Sequence, residues 1–379
     1  MKWTSTILIL CVAVLTGLGM VMLYSSSMNM EMNKAAVGAN YLISQLAWFA
    51  FGSIACVLAA CLDYRKLKRP APWFLGLAVV LLVLVFAPKI GITRNGAHRW
   101  IGLPRLPHLQ SSEVAKLALI IFLAAYAERN HRRMREFVRG LLIPGALIAV
   151  TLALIFIEPD RGCTILLAAV SGVMLVLAGV RLIFFAPPAF LAVGALVVSI
   201  MRDPLRMGRV MAWLHPEQSK EGAGYQAYQA MIALGSGGID GLGLGNGRQK
   251  LGFVPEHHTD FILAIIGEEL GLFATLAVVG LFIMLIVCGC CIARRASDTF
   301  GLLLGAGITF MIGLQAFINI GVVTSVLPNK GMPLPFISYG GSNLLLMLVA
   351  VGLLLSIARH ASADATAEKL SSSSDLPNA

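Results

Sequence analysis

The chain has 379 residues, 58% hydrophobic and 13% charged. A soluble globular domain carries about 25% charge, so that class is excluded. The formal net charge of +10 would suggest nucleic acid in a soluble protein. Here no RNA-binding module and no basic helix interleaved with aromatics is present, and cytoplasmic loops of membrane proteins collect Lys and Arg, so no nucleic-acid partner is expected.

Apolar runs of about twenty residues recur, each long enough to cross about 30 Å of hydrocarbon as a helix. They are continuous and do not alternate, which argues against a β-barrel. The expected fold class is therefore an all-α polytopic membrane protein. Ten spans are expected, at 6–25, 42–62, 71–87, 113–127, 140–157, 163–180, 183–201, 260–291, 300–322 and 341–358. The first follows Lys2, is longer than a signal-peptide core and has no small-residue cleavage site after it, so it reads as retained. The eighth is long enough to tilt or to begin above the membrane.

Short connections fix the expected orientation. Arg65, Lys66, Lys68 and Arg69 lie between spans two and three. Arg129, Arg132, Arg133, Arg135 and Arg139 lie between spans four and five, and Arg181, Arg294 and Arg295 fall on the same side. By the positive-inside rule that side, with both termini, is cytoplasmic. Residues 1–359 then form the membrane domain, with an extracytoplasmic loop at 202–259, and the Ser- and Ala-rich residues 360–379 are expected to be a disordered cytoplasmic tail.

The outer loops are also basic, through Lys89, Arg94, Arg99 and Arg105 and through Arg202, Arg206, Arg209, Lys220, Arg248 and Lys250. Such a surface suits an anionic ligand held at the headgroup level, or simple contact with anionic membrane lipid. The seven cysteines lie mostly inside apolar runs and read as small core residues. Cys288-Gly289-Cys290-Cys291 lacks a second ligand pair at metal spacing, so no metal site is expected. Gly241-Leu-Gly243-Leu-Gly245-Asn-Gly247 follows no strand and lacks a Walker Lys-Ser/Thr ending, so it reads as a turn-rich loop.

Ionisable groups at the membrane are functional candidates by default, and four clusters qualify. In the first, Arg99 and Trp100 suit an interfacial phosphate and sugar contact. Ser112 reads as the N-cap of span four. Glu113 and Lys116, at i and i+3, can meet there, either as a substrate contact or as a buried pair fixing the helix end. The second, Glu158-Pro-Asp160-Arg161-Gly162, reads as a structural turn.

The third is Pro255-Glu-His-His258-Thr259-Asp260-Phe261, followed by Glu268 and Glu269. Asp260 opens span eight at the positive end of its dipole, which favours the ionised carboxylate that a general base needs. Glu268 and Glu269 project in different directions, so at least one is expected to partner another helix. The fourth runs from Leu327 to Ser342. Its prolines and glycines make regular helix improbable, and Lys330 is its polar residue best able to reach a phosphate. Ser338 lies in the same stretch.

Taken in this order, Gly96-Ala-His-Arg99-Trp100-Ile, Gly224-Tyr-Gln226, Gly245-Asn246, Pro255-Glu-His-His-Thr-Asp260-Phe and Pro335-Phe-Ile-Ser338-Tyr-Gly-Gly-Ser342 resemble the SEDS family (shape, elongation, division and sporulation) over nearly the whole chain. Residues 265–271 and 327–331 resemble its FtsW form more than its RodA form. Ser111, Arg161-Gly162-Cys163 and Asn343 depart from the usual pattern.

The resemblance implies ten helices and an inverting glycosyltransferase that polymerises lipid II into β-1,4 glycan strands during cell division. It implies Asp260 as the catalytic acidic residue and matches Trp100 to the family's Arg-Trp pair. Arg99, Lys116, Arg206, Arg209 and Lys330 would stabilise the leaving pyrophosphate. Glu113, His258, Thr259 and Ser338 complete the expected substrate contacts. No dedicated cage for a divalent cation is visible, although Mg or Mn is compatible with the reaction. Implied partners are lipid II, the growing strand, a class B penicillin-binding protein and other divisome proteins, at the septal inner membrane of a bacterium. The alternatives are a lipid II flippase and a non-catalytic scaffold that recruits a transpeptidase.

Overall fold

The computed structural model describes residues 2–28, 31–87, 91–94, 97–102, 108–215, 222–251 and 258–374. Expectations at Lys89, Arg105, Lys220 and 252–257 lie outside them. The described helices are α1 (Lys2–Met28), α2 (Glu31–Cys61), α3 (Ala71–Leu84), α4 (Ser111–Arg129), α5 (Ile143–Ile157), α6 (Arg161–Leu177), α7 (Ala186–Met201), α8 (Pro204–Leu214), α9 (Tyr225–Gly237), α10 (Ile262–Arg294), α11 (Thr299–Val323) and α12 (Gly341–Ser374).

All ten expected spans fall on helices, yet among the described residues only seven helical segments are long and apolar enough to cross a membrane by themselves. Residues 71–84 and 161–177 are apolar but shorter. Helix α4 carries Glu113, Lys116, Glu128 and Arg129. The charges survive there because α4 is central, with Leu119, Ile120 and Ala124 wholly buried.

Around α4 pack α3, α6, α11 and α12, and small residues let the backbones close up. A Cβ at Gly307 of α11 would press on Ile120 and Met174, and one at Gly289 of α10 would collide with Thr309. By contrast α7 presents Phe190, Leu191 and Val193 outward. That exposure suits lipid rather than water.

One face, called here the arginine face, is clamped by ions. Lys68 Nζ lies 2.8 Å from Glu128 and 2.7 Å from Asp298. Tyr64 donates to Asp298 at 2.8 Å, and Asp298 caps α11 by accepting from Gly301 N–H at 2.9 Å. Burial opposes ionisation of Asp298, but these donors outweigh it and hold the carboxyl below its ordinary range. The α2–α3 connection is thereby tied to α4 and α11.

The opposite face, the loop face, holds a small sheet that the all-helical reading did not anticipate. Strands β1 (Gly91–Arg94), β2 (Ala97–Ile101) and β3 (Leu109–Gln110) pair antiparallel in that order. The dipeptide Asn95-Gly96 between the first two is the strongest short hairpin signal in a sequence. Helix α12 continues to Ser374, beyond the 359 boundary where a disordered tail was expected. Ala361, Ala363, Ala365 and Ala367 give that stretch high helix propensity.

Helix α10 is interrupted at Gly271, whose φ of 76° and ψ of −171° are not helical. A Cβ there would collide with the backbone of 239–241, so both dihedral and space require glycine.

Candidate active site

Asp260 sits half-buried in the turn that precedes α10. The turn is held from below by Asn319 of α11. The Asn319 amide donates at 2.7 Å both to the Asp260 carbonyl and to the Met332 carbonyl, and Asn319 is 1% exposed. One buried side chain thus joins the turn at 260 to the loop at 332. The consequence shows at Gly331, where a Cβ would collide with Asp260 Oδ2. Glycine is required there by the closeness of the carboxylate.

The same two segments are tied a second time. Ser338 Oγ accepts from Leu334 N–H at 2.8 Å and donates to the Thr259 carbonyl, while Tyr339 N–H donates to the His258 carbonyl at 3.0 Å. Ser338 is therefore a brace inside the loop. The rings of Tyr41, His258 and Tyr339 cluster, with Tyr41 5.2 Å from His258 and 5.0 Å from Tyr339. Lys330 Nζ donates to the Arg161 carbonyl at 3.0 Å. Burial is the main influence on Lys330 and pushes its pKa down to about 8, against the pull of Asp160.

The second cluster, read from sequence as a structural turn, links the others. Ser111 Oγ donates to Glu158 at 3.0 Å, and Ser112 Oγ and Cys163 N–H donate to Asp160, each at 3.2 Å. Ser112 therefore serves Asp160, and the expected cap of α4 is displaced: Gln110 occupies the N-cap with no side-chain bond to the helix backbone, its amide donating instead to Ser112 and Asp160. Burial, reinforced by nearby Asp160, raises Glu158 to about 8 despite Ser111 and Arg99. Arg99 donates to the Glu158 and Pro159 carbonyls at 3.2 and 2.6 Å, pinning the hairpin to this turn. Trp100 is half-buried on the same strand and pairs with Gln110.

Glu113 and Lys116 meet at 2.8 Å and are almost fully enclosed. Asn343 donates to Glu113 at 2.9 Å, Lys116 donates to Gln315 at 2.9 Å, and Gln315 donates to the Pro333 carbonyl at 2.9 Å. The pair thus braces the loop that carries Lys330. Gln315 and Asn319, at i and i+4 on apolar α11, were missed by the sequence reading. Polar side chains one turn apart on one face of a membrane helix are the signal that could have found them.

Other expected residues stand apart from this cluster. Arg206 on α8 pairs with Asp203 at 2.7 Å and with the Ser199 carbonyl at 2.8 Å. Arg209 is exposed on the same helix. Glu268 and Glu269 both serve the glycine-rich loop. Glu268 accepts from the N–H groups of Arg248 and Gln249. Glu269 accepts from Gly245 N–H, Ser25 and Lys250, the last at 2.7 Å. Lys250, expected as an outer cation, is buried in that pair. Among the described residues no three His, Cys, Asp or Glu side chains are grouped to hold a metal ion.

An apolar groove of about 380 Å³ runs between α2, α3, α4 and α12. Leu58, Leu62, Phe74, Leu77, Leu117 and Leu346 are among its walls. Val114, in the first turn of α4, lies at its end near Glu113.

Residues 5–363 match the model of the FtsW, RodA and SpoVE family, described as cell cycle proteins. A Trichlorobacter lovleyi protein named "Probable peptidoglycan glycosyltransferase FtsW" is 41% identical over 351 residues, covering 93% of this chain and 92% of its own. A Coxiella burnetii protein of the same name is 38% identical over 93% of this chain and 95% of its own. Among solved structures, a chain reported under "Structural coordination of polymerization and crosslinking by a peptidoglycan synthase complex" superposes with a TM-score of 0.72. It is 26% identical and covers 93% of this chain and 97% of that one. A mutant of Thermus thermophilus rod shape determining protein RodA gives a TM-score of 0.66 at 25% identity, with coverage of 93% and 96%. This chain belongs to the FtsW, RodA and SpoVE family.

Proposed function

We propose that this protein is a peptidoglycan glycosyltransferase of the FtsW type, which polymerises lipid II at the division septum. The relatives at 41% and 38% identity that carry this name support it. The observation that carries the site is the position of Asp260, braced by Asn319 and Ser338 against the Lys330–Gly331 segment. A carboxylate and a cation-bearing loop brought together at one end of a helical bundle suit the transfer of a sugar from a pyrophosphate.

The step runs as follows. The 4-hydroxyl of the acceptor sugar attacks C1 of the donor sugar. The C1–O bond to the lipid pyrophosphate breaks, and its electron pair leaves with the pyrophosphate. The hydroxyl proton passes to Asp260. One displacement inverts the anomeric centre and gives the β link. A general base contributes about 10²–10⁴ in rate. Lys330 and Arg99 supply positive charge toward the leaving group, and the apolar groove at 55–77 and 114–121 offers the lipid chain a path.

In this reading the loop face is extracytoplasmic and both termini are cytoplasmic, as the arginines of the short loops require. A class B penicillin-binding protein is the proposed partner. The structural likeness to a chain of a synthase complex that couples polymerization and crosslinking supports that pairing.

The test is purified protein with lipid II in detergent. Asp260→Asn should bind lipid II but form no glycan chains. Polymerisation by that variant at near the wild-type rate would remove Asp260 as the base.

A further inference from the structure

A second cavity, of about 280 Å³, opens between α8, α9 and the segment after α11. Its walls include Arg209 and Trp213 of α8, Ala227 and Tyr228 of α9, and Ser325 and Asn329. Helical spacing puts these residues there. Positions 209, 212 and 213 share one face of α8, and 227, 228 and 231 share one face of α9. The other side of α9, through Ala230, Ala233 and Gly237, is buried, and Gly237 lies against the backbone of Gly267. The walls are fixed by two bonds: Trp213 Nε1 donates to the Ser325 carbonyl at 3.1 Å, and the Asn329 amide donates to Gln226 at 3.2 Å.

The wall of the cavity at Asn329 leads along the chain toward Asp260. Asn329 stands two residues before Gly331, hence within about 7 Å along the chain, and Gly331 touches Asp260. A pyrophosphate needs convergent cations. This cavity offers one, since Arg206 is committed to Asp203. Two aromatic rings, small apolar walls and a carboxamide suit instead the apolar face and polar edge of a neutral ring. The donor ring is tethered to the pyrophosphate and so to the cations, whereas the acceptor ring presents only a hydroxyl to the base, which favours the acceptor for a neutral cavity at this end of the loop.

Resting on the glycosyltransferase reading, we infer that this cavity is the subsite for the acceptor N-acetylhexosamine ring, with Trp213 and Asn329 as its contacts. The probe is lipid II bearing a diazirine on the N-acyl group of its terminal N-acetylglucosamine, used with the full-length protein in nanodiscs. Irradiation should place adducts within 209–213, 224–231 or 324–329. Ala227→Phe, which fills the cavity, should lower the yield about tenfold. Asn329→Ala, on the segment after α11, should lower it too without adding bulk. Adducts confined to other residues, or an unchanged yield in both variants, would overturn the subsite. Labelling in the cavity by a wild-type protein that forms no glycan from lipid II would instead sink the enzymatic reading and leave the sugar site standing.

Discussion

The carboxylate of Asp260 lies against the α-carbon of Gly331, with no room between them for a methyl group. Gly331→Ala must therefore displace either the base or the loop. Misplacing a catalytic group by about 1 Å costs about 10² in rate. The variant should retain its thermal stability and lose about that factor in lipid II polymerisation. A wild-type rate would mean that the carboxylate can vacate the position without consequence.

Asn319 bonds two carbonyls from two segments at 2.7 Å each. Asn319→Leu removes both bonds, and at the buried Met332 carbonyl the lost donor costs about 1–3 kcal/mol. A lowered melting temperature is expected, with a fall in kcat beyond any fall in lipid II affinity. Equal loss of both would place Asn319 in folding alone.

Lys330 carries its charge below about pH 8 and loses it above, because burial disfavours the ammonium. If that charge assists the leaving pyrophosphate, the rate must fall as pH rises through about 8. Rate profiles across pH 6–9.5 should show this alkaline limb in the wild type and a flat, lower profile in Lys330→Met.

Glu158 gives a pH dependence of stability rather than of rate. Its native pKa of about 8 lies above the ordinary carboxyl range, so between those values the folded protein holds a proton that the unfolded chain releases. Stability then declines as pH rises across that window. Glu158→Gln keeps an acceptor for Ser111 and should flatten the decline, measured as melting temperature from pH 5 to 8.5.

Lys250 and Glu269 meet at 2.7 Å with both side chains fully enclosed. Removing one partner of a buried pair costs about 3–5 kcal/mol. Lys250→Met should be strongly destabilised, and Lys250→Met with Glu269→Gln should recover part of the loss. No recovery in the double variant would show that the pair is not the source.

The membrane architecture and the site's main segments were legible because apolar runs and clustered polar residues are local signals. The contacts that assemble the site were less so. Asp160 and Glu158 bond Ser112 and Ser111 across nearly fifty residues, and no spacing rule predicts such a pairing. Lys250 looked like one more outer cation, since a buried partner 19 positions on cannot be told from a solvated one by composition. Arg206 pairs with Asp203 three positions before it at the start of α8, a local contact that the count of outer cations does not show. The hairpin at 91–101 carries a local signal, the Asn95-Gly96 dipeptide between its strands.

The break at Gly271 sets which part of the molecule answers to bilayer thickness. An unbroken α10 would run about 50 Å, well past the roughly 30 Å of hydrocarbon. Beyond Gly271 about 23 residues remain, roughly 34 Å, enough for the crossing on their own. The stretch from Ile262 to Leu270 is fastened instead to α9 and the glycine loop, by Gly237 against Gly267 and by the Glu268 and Glu269 carboxylates. A thicker or thinner membrane can tilt the lower rod while Asp260, mounted above the joint, keeps its place among the loops that face it.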